Sequence, residues 1–179
     1  MEYTEKTISS EQIFKGVVVD LKVDTVELDN GNKATRELVS HPGGVGIVAV
    51  DDDNNIFLVK QFRKPFDKMV TEIPAGKLEY GENPDIAVLR EFEEEVGYKA
   101  GNLCKLGAFY ASVGFCNEVI HIYLATDLEY VGAHPDEDEF LDVVKMDFDK
   151  AYEAVLSGEL KDGKTVIGIL MARERLYKL

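Results

Sequence analysis

The sequence has no tryptophan, two cysteines, three histidines and no long apolar run. Cys104 and Cys116 have no histidine or basic cluster beside them in sequence, so we interpret them as small buried side chains in a reduced compartment. Residues 1–12 are polar and charged, and no apolar segment approaches the length of a membrane span. We therefore expect a cytoplasmic protein that is not embedded in a membrane.

Basic side chains are also few. The chain has 20 Lys and Arg against 34 Asp and Glu, a formal net charge of −14. Binding to a nucleic acid backbone needs a basic stripe, and the sequence has none, so we expect no nucleic acid partner. A small anionic substrate remains compatible if a bound divalent ion and a few arginines reverse the local potential. The length of 179 residues and the apolar content of 45% fit one compact enzyme domain.

Alternating polar and apolar residues predict a run of strands in the first third of the chain. Gly16 to Leu28 and Thr35 to Ser40 are predicted to pair through a turn at Asp29-Asn30-Gly31. Segments rich in β-branched and aromatic residues predict further strands at 45–50, 56–62, 69–73, 103–111, 119–125 and 141–146. Apolar spacing predicts carboxy-terminal helices at 148–156 and 165–177. Strands with helices on the outside indicate an α/β (α+β) sandwich with a mixed sheet.

The segment from Gly76 to Tyr98 predicts a short helix directly after a glycine loop. Asn83 is a candidate amino-terminal cap, Pro84 suits the first helical position and Gly97 suits a left-handed stop. At about 100° per residue, the helix separates an acidic arc from an apolar arc. The acidic arc holds Glu91, Glu94 and Glu95, and the apolar arc holds Val88, Leu89, Phe92 and Val96. Three such carboxylates repel one another unless a cation joins them, although a solvated acidic face is the alternative.

These residues resemble the Nudix box. Gly76, five residues, Glu82, seven residues and then the run REFEEEVGY at 90–98 fit its spacing throughout. The resemblance implies a Nudix-type α/β/α sandwich with a mixed β-sheet, preceded by an amino-terminal antiparallel β-hairpin region. We accordingly predict a β-strand region for dimerisation at residues 1–44 and a Nudix hydrolase domain at residues 45–179.

The resemblance also implies a set of metal ligands. By similarity to the family, Glu91 and Glu95 are the principal ligands of Mg²⁺, for which Mn²⁺ is a possible substitute. The main-chain carbonyl of Ala75 joins them, and Glu94 is an auxiliary ligand in the catalytic site. Gly76 fits this arrangement, because a residue without a side chain lets the backbone come close to the metal.

Two other box residues are expected to support the glutamates. Arg90 is predicted to orient them within the catalytic site from behind. Glu82 either has a similar supporting role, binds an outer metal, or only caps the glycine loop.

Further segments are similar to the ADP-ribose pyrophosphatase branch of the family. They are RE at 36–37, HPGG at 41–44, QFR at 61–63 and EIPAGK at 72–77. The resemblance implies hydrolysis of ADP-ribose to AMP and ribose 5-phosphate, with related nucleoside diphosphate sugars as weaker substrates. It also implies a homodimer in which the amino-terminal strands contribute to the neighbouring subunit's site.

The resemblance to this branch implies that the general base is a glutamate on a loop after the box. The acidic segment DEDEF at 136–140 occupies that place. Glu139 is the first candidate because it directly precedes the apolar start of the next strand, and Glu137 is the second. A loop that is acidic only because it is solvated is the alternative.

Substrate contacts follow from the groups to be held. A guanidinium stacks on a base or donates paired hydrogen bonds to phosphate, so Arg63 and Arg36 are predicted to bind substrate, with a structural ion pair as the alternative for each. Phe115 and Glu118 are predicted to contact the terminal sugar. Beside them, Ser-Val-Gly at 112–114 replaces the Ser-Pro-Gly usual in the branch, which frees a backbone φ. Another nucleoside diphosphate sugar or a dinucleotide is therefore the alternative substrate, and a non-catalytic nucleotide-binding domain is the third interpretation.

Overall fold

The computed structural model describes residues 3–134 and 140–177. The chain forms two compact units. The first contains Met1–Gly43 and Tyr110–Val119, and the second contains Gly44–Phe109 and Ile120–Leu179.

The first unit is built on an antiparallel sheet of three strands in the order β1-β2-β3. The strands are β1 (Lys6–Lys15), β2 (Asp20–Glu27) and β3 (Lys33–Ser40). The predicted hairpin between β2 and β3 is confirmed, and Gly31 adopts a φ of 80° in its turn. The strand β1 was not among the predicted elements. All its residues are exposed, so its sequence lacks the alternation that a buried face produces.

The second unit contains seven strands and three α-helices among its described residues. The strands are β4 (Gly44–Ala49), β5 (Asn55–Arg63), β6 (Lys68–Glu72), β7 (Ala75–Lys77), β8 (Tyr98–Tyr110), β9 (Val119–Tyr130) and β10 (Leu141–Asp147). The helices are α1 (Pro84–Val96), α2 (Phe148–Leu156) and α3 (Gly163–Leu176), with a 3₁₀ turn at Lys64–Phe66. No helix in the described part of the chain is long and apolar enough to cross a bilayer.

Two sheets organise this unit. One has the order β10-β5-β6 and is antiparallel, and the other has the order β7-β4-β9-β8. The second sheet is mixed, because β4 pairs with β9 in parallel and with β7 in antiparallel orientation. The predicted α/β fold with a mixed sheet is therefore confirmed.

The strand β4 lies between two hydrophobic cores. Every residue of β4 is buried, and alternate side chains point to opposite faces of the sheet. Val45 and Ile47 pack with Phe92 of α1, whereas Val48 packs with Ile169 of α3 and the residues around it. Helices therefore cover both faces, which gives three layers.

The ends of α1 are those that the sequence predicts. The Asn83 side chain accepts a hydrogen bond from the Asp85 backbone N–H at 2.9 Å, and Pro84 occupies the first turn. Gly97 ends the helix with a φ of 78°. One assignment on the apolar arc is wrong, because Leu89 is 39% exposed and lies at the edge of the buried stripe.

Candidate active site

The acidic face of α1 is only partly open to solvent. Glu95 is 2% exposed, whereas the side chains of Glu91 and Glu94 are 14% and 40% exposed. Because a carboxylate loses much of its hydration at such burial, it needs compensating donors or cations nearby. The face therefore differs from a solvated acidic helix surface.

The loop that carries Ala75 and Gly76 is seated on two of these carboxylates. The Ala75 backbone N–H donates to Glu95 Oε2 at 3.1 Å. A Cβ atom at Gly76 would lie 1.9 Å from Cδ of Glu91. Pairing with β4 holds this backbone in place, because Val45 faces Gly76 across the ladder. The structure thus brings the predicted ligand residues Ala75, Glu91 and Glu95 together.

Arg90 connects the remaining acids of the box. Its guanidinium donates to Glu82 Oε1 at 3.2 Å and to Glu94 Oε2 at 2.9 Å, and its Nη2 lies 3.0 Å from Glu91 Oε1. Burial alone would lower the pKa of Arg90, but the charge of Glu91 and the bonds to Glu82 and Glu94 outweigh it and raise the pKa. Glu82 also accepts the Glu79 backbone N–H at 2.9 Å, so it both caps the loop and binds Arg90.

The donor set fits a hard divalent cation. The carboxylates of Glu91 and Glu95, which lie against the loop, are hard oxygen ligands of the kind that Mg²⁺ and Mn²⁺ prefer, and the missing side chain of Gly76 lets the backbone come close to them. Within residues 3–134 and 140–177, no three Asp, Glu, His or Cys side chains are already arranged to share one ion. A third oxygen ligand would come from the Ala75 carbonyl or from Glu94, whose carboxylate accepts a hydrogen bond from Arg90.

Arg63 and Glu72 form an ion pair near this site. Arg63 donates from Nε to Glu72 Oε1 at 2.6 Å and from Nη2 to Oε2 at 2.7 Å. Lys164 also donates to Glu72, which is 2% exposed. Burial would raise the pKa of Glu72, but the bonds from Arg63 and the charge of Lys164 outweigh it and lower the pKa. The bonds to Glu72 raise the pKa of Arg63, and the charge of Glu95 contributes to the same rise.

The start of α3 anchors the residues just before the loop that carries Ala75 and Gly76. Thr165 is fully buried, accepts the Ile73 backbone N–H at 2.8 Å and donates to Asp162 Oδ2 at 2.6 Å. This anchor and Lys164 were not among the residues predicted from the sequence. The available signal was Asp162, which caps α3 three residues before Thr165, where the predicted helix began.

The other predicted substrate residues lie in the first unit. Arg36 donates from Nε to Glu5 Oε2 at 2.9 Å and makes a second contact with Glu5 Oε1. Phe115 is 53% exposed, and Glu118 lies with its Oε1 3.3 Å from His41 Nδ1. Both arginines thus form the ion pairs that were the alternative to substrate binding. Their roles, and those of Phe115 and Glu118, stay predictions.

The predicted base residues Glu137 and Glu139 lie outside the described residues. Residues on either side of them are described. The His134 backbone N–H donates to the Glu94 carbonyl oxygen at 3.0 Å, and Leu141 pairs with Gln61 of β5. The chain therefore contacts the last turn of α1 just before this segment and pairs with β5 just after it.

Residues 40–166 match the NUDIX domain, and residues 5–39 match the nucleoside diphosphate sugar hydrolase N-terminal domain. The chain is 50% identical over 167 residues to ADP-ribose pyrophosphatase of Bacillus subtilis (strain 168), covering 92% of this chain and 90% of the relative. It is 47% identical over 169 residues to the methanol dehydrogenase activator of Bacillus methanolicus, covering 93% and 91%.

The crystal structure of an ADP compounds hydrolase has the same fold. It superposes with a TM-score of 0.86 at 21% identity, over 99% of this chain and 96% of that one. Together with the match to residues 40–166 and the seating of the Gly76 loop on the box glutamates, these likenesses establish that the chain belongs to the Nudix hydrolase family.

Proposed function

We propose that this protein hydrolyses the pyrophosphate bond of ADP-ribose and yields AMP and ribose 5-phosphate, with Mg²⁺ as the metal and Mn²⁺ as a substitute. The observation that carries the proposal is the seating of the Ala75–Gly76 backbone against Glu91 and Glu95. The identity of 50% to a relative named ADP-ribose pyrophosphatase supports the choice of substrate.

The residues of the box have different proposed roles in metal binding. Glu91, Glu95 and the Ala75 carbonyl hold the metal, and Glu94 joins them as an auxiliary ligand. The bound ion would neutralise phosphate oxygens and lower the pKa of a water molecule. Arg90 keeps the carboxylates in place, a role supported by its contacts with Glu91 and Glu94.

Glu139 is proposed as the general base that accepts a proton from the attacking water, with Glu137 as the second candidate. The His134 backbone N–H, in the described residues before the acidic segment, donates to the carbonyl oxygen of Glu94 on α1. Proton transfer of this kind contributes about 10²- to 10⁴-fold in rate.

Four residues are proposed to hold the substrate. Arg63 binds a phosphate, because its side chain is 40% exposed and a guanidinium donates paired hydrogen bonds to phosphate oxygens. Arg36 is a second cation for the phosphates or the adenine, and Phe115 and Glu118 contact the terminal sugar. Val113 is 80% exposed in the loop that departs from the branch, so a different sugar is the alternative specificity.

A homodimer is proposed to form through the residue 1–44 region. The edge strand β1 supports this, since it exposes Ile8, Ile13 and Phe14 at 44%, 50% and 57%. Light scattering on Phe14→Asp, compared with wild type, tests this interface, and an unchanged dimer mass would contradict it. Both cysteines are free thiols, which supports a reduced compartment such as the cytoplasm.

A second candidate function follows from the relative named methanol dehydrogenase activator, which is 47% identical. This protein would then stimulate a methanol dehydrogenase. Adding wild type and Glu95→Gln to a methanol dehydrogenase assay tests this. Stimulation by wild type alone would tie the effect to hydrolysis, stimulation by both would indicate binding, and no stimulation would exclude this function.

The experiment that tests the proposed hydrolysis is product analysis with Mg²⁺ and with Mn²⁺. The substrates are ADP-ribose, GDP-mannose, UDP-glucose, a diadenosine polyphosphate and a nucleoside triphosphate. We expect AMP and ribose 5-phosphate from ADP-ribose to form fastest, and Glu95→Gln to reduce turnover by about 10²-fold or more. Glu93→Gln is the matched control on the same helix, where the partly exposed Glu93 lies with its Oε1 3.7 Å from Lys99 Nζ. Faster product formation from another diphosphate would assign that compound as the preferred substrate. No cleavage with either ion would favour a nucleotide-binding domain.

A further inference from the structure

Glu72 has more positive charge around it than one buried carboxylate needs. Arg63 donates to both of its oxygens, and Lys164 donates to one of them from α3. The Lys164 side chain is 12% exposed and also binds Asp162 at 3.0 Å, whereas the Arg63 side chain is 40% exposed. The two cations are therefore held differently, with Lys164 enclosed and Arg63 open to solvent.

This difference decides which cation can leave. Leaving a buried carboxylate without a counter-ion is strongly destabilising. If Arg63 were the sole counter-ion of Glu72, it would therefore be unable to leave this carboxylate. With Lys164 in place, Glu72 keeps one enclosed counter-ion after Arg63 moves. Lys164 itself cannot leave so readily, because it would leave both Glu72 and Asp162 without its charge.

We propose that Lys164 is a positioning residue that neutralises Glu72 so that Arg63 can exchange this carboxylate for a phosphate of the substrate. The inference rests on the proposed role of Arg63 in substrate binding. Arg63 is the last residue of β5, and its partner Glu72 lies three residues before Ala75 of the proposed metal site, so Arg63 is placed next to the loop that carries this site. In this arrangement Lys164 acts on the substrate only through Arg63.

The kinetic test uses Lys164→Met, which keeps most of the side-chain volume. Arg63 would then be retained by Glu72, so we expect KM for ADP-ribose to rise about tenfold or more while kcat changes little. Lys164→Arg should restore most of the affinity. Lys161→Met is the matched control, because Lys161 is an exposed lysine just before the same helix. An unchanged KM in Lys164→Met would overturn the proposal.

A double-mutant cycle shows whether Lys164 acts through Arg63. Arg63→Met alone should raise KM, and adding Lys164→Met to it should raise KM no further. Adding Glu72→Gln to Lys164→Met should return KM towards the wild-type value, since no buried charge then retains Arg63. An independent rise of KM from Lys164→Met in the Arg63→Met background would overturn the proposal, as would an Arg63→Met variant with unchanged KM.

Thermal unfolding tests the neutralisation of Glu72 without an activity measurement. Arg63→Met should lower the melting temperature modestly when Lys164 is present. The double variant Arg63→Met, Lys164→Met should lose at least about 6 °C beyond the sum of the single changes. Additive losses would overturn the proposal. If wild type cleaves none of the substrates, the proposed hydrolysis fails, and this cycle still decides whether Lys164 compensates Glu72.

Discussion

The backbone of Gly76 touches the carboxylate of Glu91 so closely that no side chain fits between them. A Cβ atom at residue 76 would lie 1.9 Å from Glu91 Cδ and 2.2 Å from its Oε1. Antiparallel pairing of Gly76 with Val45 prevents the loop from withdrawing, so the carboxylate would have to move instead. The glycine is therefore required by the position of a proposed metal ligand.

Gly76→Ala should reduce kcat/KM for ADP-ribose by about 10²-fold, because displacing a ligand by an ångström is enough to misplace the reacting groups. Steady-state kinetics at saturating Mg²⁺ measures this. Gly163→Ala is the control, since nothing lies within 4 Å of a Cβ at that glycine. Wild-type kinetics in Gly76→Ala would show that Glu91 is free to move without consequence and would remove it from the ligand set.

Arg90→Met should raise the Mg²⁺ concentration at half-maximal rate by about 10- to 100-fold, because groups that orient ligands contribute on that scale. Metal affinity would fall because Arg90, through its contacts with Glu82, Glu91 and Glu94, fixes the positions of these carboxylates and offsets their mutual repulsion. A metal titration of the rate measures it. Lys99→Met removes a cation that lies just after α1 and serves as the control. Equal metal dependence in both variants would contradict the orienting role.

Thr165→Val should lower the free energy of unfolding by about 1–3 kcal/mol, because the buried Ile73 N–H loses its acceptor. Thr165→Ser keeps the hydroxyl and should recover most of this loss. Urea denaturation of the three proteins measures the difference. A valine variant as stable as wild type would mean that the Ile73 N–H finds another acceptor.

The ends of α1 could be predicted because each depends on residues adjacent in sequence. The cap at Asn83 and the stop at Gly97 follow from local backbone preferences. The environment of Glu72 could not be predicted in this way, because Lys164 lies 92 residues further along the chain. Its enclosure depends on how α3 packs, which no local pattern encodes.

Predictions for the arginines illustrate the same limit. Arg63 was predicted to bind substrate because a guanidinium donates paired hydrogen bonds, and in the structure it donates two of them to Glu72. Its role in substrate binding stays a prediction. Chemistry alone does not choose between a carboxylate of the protein and a phosphate of a substrate. That choice depends on Glu72, Lys164 and the exposure of Arg63, which are properties of the folded chain.

Glu139→Gln should lower kcat by about 10²- to 10⁴-fold and leave KM and metal dependence nearly unchanged, because the amide cannot accept the proton of the attacking water. The rate should also lose its fall towards acid pH, since that fall reports protonation of the base in wild type. Glu137→Gln removes an acid two residues earlier and is the matched control. A pH–rate profile for each variant separates the two. If Glu137→Gln alone lost the acid limb, the base would be Glu137; if neither variant did, the proton would pass to a glutamate of the box.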